Sequence, residues 1–268
     1  SDGGVAYLIK KKFKIPYVVA VRNTDINIFL KYLFYLKWFG KKVLIESEKI
    51  ILVTPAYKKN ILDLFKDESE KKFIREKIHV IPNTIDSYWF NNFNLRSNTN
   101  PTNFLYVGDF SKNKNVPKLI NIFKTNPDIK LSLVGKDIPI GIQKIINEIP
   151  NVEYLGYIKD KDELLKTYRN HDSLILISFY ETFGAVYIEA LTQGLPFVGS
   201  RGQGIDGYFN INSTPGCFVN PNDSSEIING IRYVQENFEH LKKNIESNIE
   251  LFKSESIRNS YIKLFKSL

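Results

Sequence analysis

SLILISFYETFGAVYIEALTQGLPFVGS, residues 173–200, carries the pattern of an α/β unit. Leu174–Ile177 is a continuous apolar run, the pattern of a strand buried on both faces. Ser178–Thr182 is a polar turn. Phe183-Gly184 opens a segment of helical periodicity that runs to Gln193. Gly194 stands at the position where a helix commonly closes in the left-handed region, and Leu195-Pro196 starts the next strand. The unit is strand, loop, helix, strand. In an open α/β sheet this arrangement puts a helix N-terminus at the carboxyl ends of the strands, where ligands bind.

Outward from this unit the rhythm repeats. Tyr17–Val21, Ile50–Thr54, Phe104–Val107, Leu131–Val134, Val152–Leu155, Leu195–Val198 and Cys217–Val219 read as further strands. Pro117–Phe123, Ile140–Glu148, Asp162–Tyr168 and Ser224–Phe238 have helical spacing. Alternation of this kind predicts an α/β fold with parallel sheets and helices on both faces. Residues 87–102 (SYWFNNFNLRSNTNPT) are rich in Asn, Ser and Thr and read as a linker. They divide a block over 1–86, expected to be a partial N-terminal domain, from a complete Rossmann-like domain over 103–252. A last helix over 253–268 is expected, packing back on the first block. The chain opens Ser-Asp-Gly-Gly, not with a basic-apolar leader, and contains no Met, as expected of a fragment, a processed form or a sequence that has lost residues.

Composition narrows the function classes. The 268 residues are 43% hydrophobic and 25% charged, an ordinary globular balance. One cysteine, Cys217, excludes an internal disulfide framework, and three histidines without ligand spacing argue against a zinc site. Net charge is +8, but the lysines are scattered, where a nucleic-acid binder would carry a stripe. Ile28–Phe39 reads as an aromatic helix interrupted by Lys31 and Lys37, too short and too charged to span a bilayer.

The chemistry concentrates around Gly184. The amides of Gly184, Ala185 and Val186, at the positive end of the helix dipole, suit a phosphate or diphosphate. Two carboxylates flank them. Singly, Glu181 reads as a helix-entry acid and Glu189 as a surface acid. Together, with Phe183-Gly184 between them, they describe a site. A diphosphate repels a carboxylate, so Glu189 is expected to accept the two hydroxyls of a ribose, while Glu181 lies nearer the phosphate end.

Glu181, seven residues and Glu189, with Thr182-Phe183-Gly184 after the first Glu and Glu-Ala-Leu-Thr-Gln-Gly-Leu-Pro closing the helix, resembles the E-x7-E signature of the group 1 glycosyltransferases (family 4, retaining, GT-B fold). The likeness continues in order. His79–Asp86 resembles the family's V-I-P-N-G-V-D segment. Phe104–Gly108 with Lys114-Asn115-Val116 resembles V-G-R…K-G-V. Leu133-Val134-Gly135, Val152–Ile158, Arg201–Gly204 and Gly216–Asp223 resemble its later segments.

The resemblance implies a retaining transfer of a sugar from a nucleotide-diphosphate donor to an acceptor hydroxyl, without metal or other cofactor. Glu189 is then expected on the donor ribose and Glu181 beside the transferred sugar. Lys114 is expected to stabilise the departing diphosphate, with Phe183, Gly184, Ala185, Val186, Gly108 and Lys112 around the donor and Tyr157 near the base. Two positions depart from the pattern. Asp109 stands where the family usually has Arg. Arg22 stands where many members have His; with Asn23 and Asp25 it is assigned to the acceptor side, or it pairs with Asp25. The implied acceptor is a saccharide or lipid-linked sugar in polysaccharide or lipopolysaccharide assembly. The implied location is the cytoplasm, with the aromatic helix as a membrane-facing surface or as ordinary domain packing. The alternatives are an epimerase on the same fold and a nucleotide-sugar-binding homologue without activity.

Overall fold

The computed structural model describes residues 2–22, 25–26, 36–95 and 101–268. They form two compact units. The first comprises residues 1–83 and 255–268, and the second residues 84–254.

The first unit is built on a parallel sheet of three strands in the order β1-β2-β3 (Val18–Val21, Lys49–Leu52 and Ile78–Val80). Its helices are α1 (Asp2–Phe13), α2 (Lys37–Glu46), α3 (Tyr57–Leu62) and α4 (Glu68–Lys77). Asp67 caps α4 by accepting from the amides of Ser69 and Glu70, with Glu68 and Glu70 in the first turn and Arg75 and Lys77 in the last, as the helix dipole favours. Helix α1 and strand β3 are additions to the expected elements. The three residues of β3 carry no alternation long enough to read. Gly3 and Gly4 bring the backbone of α1 against Val19, Val43 and Phe39. Asn23 and the Ile28–Tyr35 part of the expected aromatic helix lie outside the described residues; from Lys37 onward the chain is helical.

The second unit carries a six-stranded parallel sheet: β4 (Asn103–Val107), β5 (Lys130–Val134), β6 (Val152–Gly156), β7 (Ser173–Leu176), β8 (Phe197–Ser200) and β9 (Gly216–Val219). The order is β6-β5-β4-β7-β8-β9. The chain winds one way from β4 and the other way from β7, so the order reverses between these neighbours. That is the topological switch point of a doubly wound sheet. The interior of β4 and all of β7 and β8 are buried, which explains the near-continuous apolar runs. Leu195–Val198 begins later than its composition indicates. Leu195 still donates to the Ala190 carbonyl, and Pro196 has no amide to give the ladder.

The linker reading of residues 87–102 requires correction. Ser87–Asn91 is a helix, α5, capped by Asp86, and its Trp89 is 3% exposed within the core of the second unit. Asp172 ties Thr102 and Asn103 down through their amides. Burial of one large aromatic ring outweighs the polar composition around it. Residues 96–100 lie outside the description. The second unit therefore starts at Thr84. The remaining helices are α6 (Val116–Lys124), α7 (Ile140–Ile146), α8 (Lys161–Arg169), α9 (Ala185–Thr192), α10 (Ser224–Glu236), α11 (Phe238–Asn248) and α12 (Ser254–Lys266). Helix α12 belongs to the first unit, where its Ile257 and Leu264 pack with Ile51 and Ile81. Among the described residues, no helix is long and apolar enough to cross a membrane.

Candidate functional site

Strands β4, β5 and β6 lead into Gly108, Gly135 and Gly156. The first two need the absence of a side chain. A Cβ on Gly135 would lie 1.9 Å from the Gly108 carbonyl oxygen, so the two strand ends approach backbone to backbone. Past Gly108 the chain makes a short turn, Lys112–Lys114, and enters α6 through Asn115. Asn115 has φ 57°, a left-handed conformation that Asn tolerates better than other residues with a side chain. Its amide also donates to the Pro221 carbonyl at 2.8 Å.

The loop after β7 meets this turn at the switch point. Asn113 is the clasp. Its side-chain amide donates to the Tyr180 carbonyl at 2.8 Å and accepts from the Tyr180 amide at 2.9 Å, while its carbonyl accepts from Phe179 at 2.8 Å. Beside the clasp the Lys114 ammonium donates to Glu181 Oε2 at 2.7 Å, with the two side chains only 16% and 13% exposed. A third loop supports Glu181: Gln203 Oε1 accepts from its amide at 3.0 Å, and Gly204 donates to its carbonyl at 2.9 Å. The Arg201–Gly204 turn thus serves as a brace.

Helix α9 begins here. Asp67, Asp160 and Asp223 cap α4, α8 and α10 with their carboxylates, but α9 starts on Gly184 with no side-chain cap. Gly184 has φ +75°, and a Cβ there would lie 2.6 Å from the Tyr187 ring. No side chain caps the first-turn amides of α9, and the Lys114–Glu181 ion pair lies on the loop that leads into them. Four residues into the helix, Glu189 is half-buried and its Oε2 accepts from the Tyr168 hydroxyl at 3.0 Å. Side chains of a helix lean toward its N-terminus, so Glu189 inclines to the same end. Burial pushes the Glu189 carboxyl above its ordinary range, against the opposing effects of the Tyr168 hydrogen bond and the charge of Lys161.

The remaining candidates are placed unequally. Ala185 is exposed and Val186 half-buried at the head of α9. Phe183, expected around the donor, turns its ring into the core. It is 4% exposed and packs against Tyr208 and Phe252. Tyr157, just past β6, is 60% exposed, and Lys112 is exposed on its turn. Asp109 faces its own loop, its carboxylate accepting from the Ser111 amide at 2.8 Å. Burial pushes its carboxyl up, but the Ser111 hydrogen bonds and the Lys114 charge prevail, and it stays below the usual value. In the first unit, at the carboxyl end of β1, Asp25 accepts from the Arg22 backbone amide at 2.9 Å. Residue-type reading missed Asn113 and Gln203, because their roles lie in backbone hydrogen bonds that no spacing announces.

The family model for "Glycosyl transferases group 1" matches residues 87–251, more than half of the chain. The chain belongs to this family. An uncharacterized glycosyltransferase of Methanocaldococcus jannaschii is 31% identical over 238 residues, which cover 85% of this chain and 61% of that protein. The chain thus spans less than two thirds of this relative. Among solved structures, sucrose-phosphate synthase from Thermosynechococcus elongatus superposes with a TM-score of 0.71 at 20% identity, covering 99% of this chain and 71% of that one. Anabaena HepE in complex with UDP-glucose gives 0.69 at 18% identity, over 99% and 76%. These likenesses show the fold, which is of the GT-B type.

Proposed function

We propose that the second unit is the donor half of a glycosyltransferase that moves a sugar from a nucleotide-diphosphate sugar to an acceptor hydroxyl with retention at the anomeric carbon. One observation carries the reading. The Lys114–Glu181 pair closes the switch point directly before the uncapped start of α9. The Lys114 ammonium and the α9 amides would neutralise the diphosphate as its bond to the sugar breaks, and the acceptor oxygen would form the new bond on the same face, its proton passing to the departing diphosphate. Glu189 would accept the ribose hydroxyls. The electrostatic role is filled by protein groups, and the reading requires no metal. The M. jannaschii relative is named a glycosyltransferase, and the Anabaena structure holds UDP-glucose; both support it. Polysaccharide or lipopolysaccharide assembly, a saccharide or lipid-linked acceptor, and a cytoplasmic location at the membrane face belong to the same proposal. Arg22, Asn23 and Asp25 are its acceptor-side residues.

A second reading, a nucleotide-sugar-binding homologue without transfer, is favoured by Asp109, a carboxylate where the family usually places Arg. Calorimetric titration of UDP, GDP, ADP and CDP, followed by turnover of the corresponding nucleotide sugars, separates the two. Under the first reading Glu189→Ala loses nucleotide binding, whereas Glu181→Ala binds and loses turnover. Binding without turnover in the parent chain supports the second. Parent-like binding by Glu189→Ala overturns both.

A further inference from the structure

We propose that Tyr168 is a positioning residue for Glu189, holding that carboxylate in the orientation in which it accepts the ribose hydroxyls; this rests on the donor-site reading above. Tyr168 lies near the end of α8, separated along the chain from the turn that holds Lys114 by α6, β5, α7 and β6, and no motif draws attention to it. Its ring is fully buried, and its hydroxyl donates to Glu189 Oε2 at 3.0 Å. Among the described residues no other hydrogen-bond donor reaches this carboxylate. A phenol offers a single proton, so one carboxylate oxygen is tethered while acceptor sites remain for two incoming hydroxyls. A Glu side chain has three torsions to immobilise, and the tether removes that freedom before the ligand arrives.

The tether is itself seated. The indole of Trp89 meets the Tyr168 ring edge to face, with centroids 5.4 Å apart and planes at 88°. Trp89 sits on α5, the helix by which the chain enters the second unit. Around it, the Arg169 Nε donates to Gln193 Oε1 at 3.0 Å, and its Nη2 donates to the Asn92 carbonyl at 2.8 Å. Helices α5, α8 and α9 are thereby locked about one hydroxyl. A tyrosine needed only for packing has no use for a hydroxyl aimed at this carboxylate. Phenylalanine would fill the same space without leaving a buried hydroxyl to satisfy.

The test uses the full chain and four nucleoside diphosphates, UDP, GDP, ADP and CDP, each beside its 2′,3′-dideoxy counterpart. Tyr168→Phe keeps the ring and removes the tether. The ribonucleotide that binds the parent should weaken about tenfold, the usual scale for one hydrogen bond to a charged group. The dideoxy form should bind as before, so discrimination between the two narrows. The variant should also need a higher pH for full binding, since the lost hydrogen bond favours the charged carboxylate. In a Glu189→Ala background Tyr168→Phe should change nothing further. Trp89→Phe, which loosens the seat without touching the hydroxyl, should give a smaller loss with the same ribose dependence. Unchanged discrimination in Tyr168→Phe, or equal weakening of both ligand forms, overturns the proposal. If Glu189→Ala itself keeps the parent's preference for the ribose form, or no diphosphate binds the parent, the donor-site reading fails instead.

Discussion

Gly184→Ala tests the start of α9 most directly. The residue has φ +75° and ψ 70°, where a side chain costs about 1–2 kcal/mol. The added methyl would also lie 2.6 Å from Tyr187 Cδ2 and 2.8 Å from Cε2. That ring has no room to yield. It is 2% exposed, its hydroxyl donates to the Leu176 carbonyl at 3.0 Å, and its centroid lies 5.2 Å from that of Phe197. Overpacking of this kind adds about 1–3 kcal/mol. The sum, about 2–5 kcal/mol, lowers the melting temperature by about 5–15 °C for a unit of this size. Gly141→Ala is the matched control. It adds the same methyl to α7, where nothing lies within 4 Å, and should stabilise by about 0.5–1 kcal/mol. Thermal denaturation followed by circular dichroism reads both. The reasoning is refuted if Gly184→Ala melts with the parent, or if the two variants shift in the same direction. Nucleotide affinity should fall with Gly184→Ala even below its melting range, because the amides of the first turn must move to admit the methyl.

Two further predictions concern the same corner. The Glu189 carboxyl is held above its ordinary value of 4.5, so the folded state binds this proton more tightly than the unfolded chain. That contribution is fully present below 4.5 and is lost as pH rises through the raised value. Glu189→Gln cannot titrate, so its stability relative to the parent should improve between pH 4 and pH 8; denaturant melts at the two pH values check this, and an equal difference at both contradicts it. Asn113→Ala removes both side-chain bonds to Tyr180, each worth about 1 kcal/mol. Exchange of the Tyr180 amide hydrogen should accelerate by at least an order of magnitude, while amides at the centre of β7 keep their protection; an unchanged Tyr180 rate would mean that the clasp does not hold the loop.

Much of this protein is legible along the chain. The buried runs at Phe104–Val107, Leu131–Val134 and Leu174–Ile177 name their strands, because a parallel sheet covered on both faces admits few polar residues. Gly184 and Gly194 mark the two ends of α9, because the backbone conformation there penalises any side chain. Local chemistry of this kind leaves a signature at fixed spacing. What a residue meets across the fold leaves none. Residues 87–102 are rich enough in Asn, Ser and Thr to pass for a linker, and the burial of Trp89 makes Ser87–Asn91 a helix of the core. Phe183 sits inside the most informative motif, yet its ring belongs to Tyr208 and Phe252. Lys114 and Glu181 are 67 residues apart, and Tyr168 and Glu189 are 21 apart. Order along the chain suffices for the strand–helix alternation and for the two acids around Gly184. The reversal of strand order between β4 and β7 decided which groups stand together, because hydrogen bonds and ion pairs depend on distance in space, and the chain records only distance along itself.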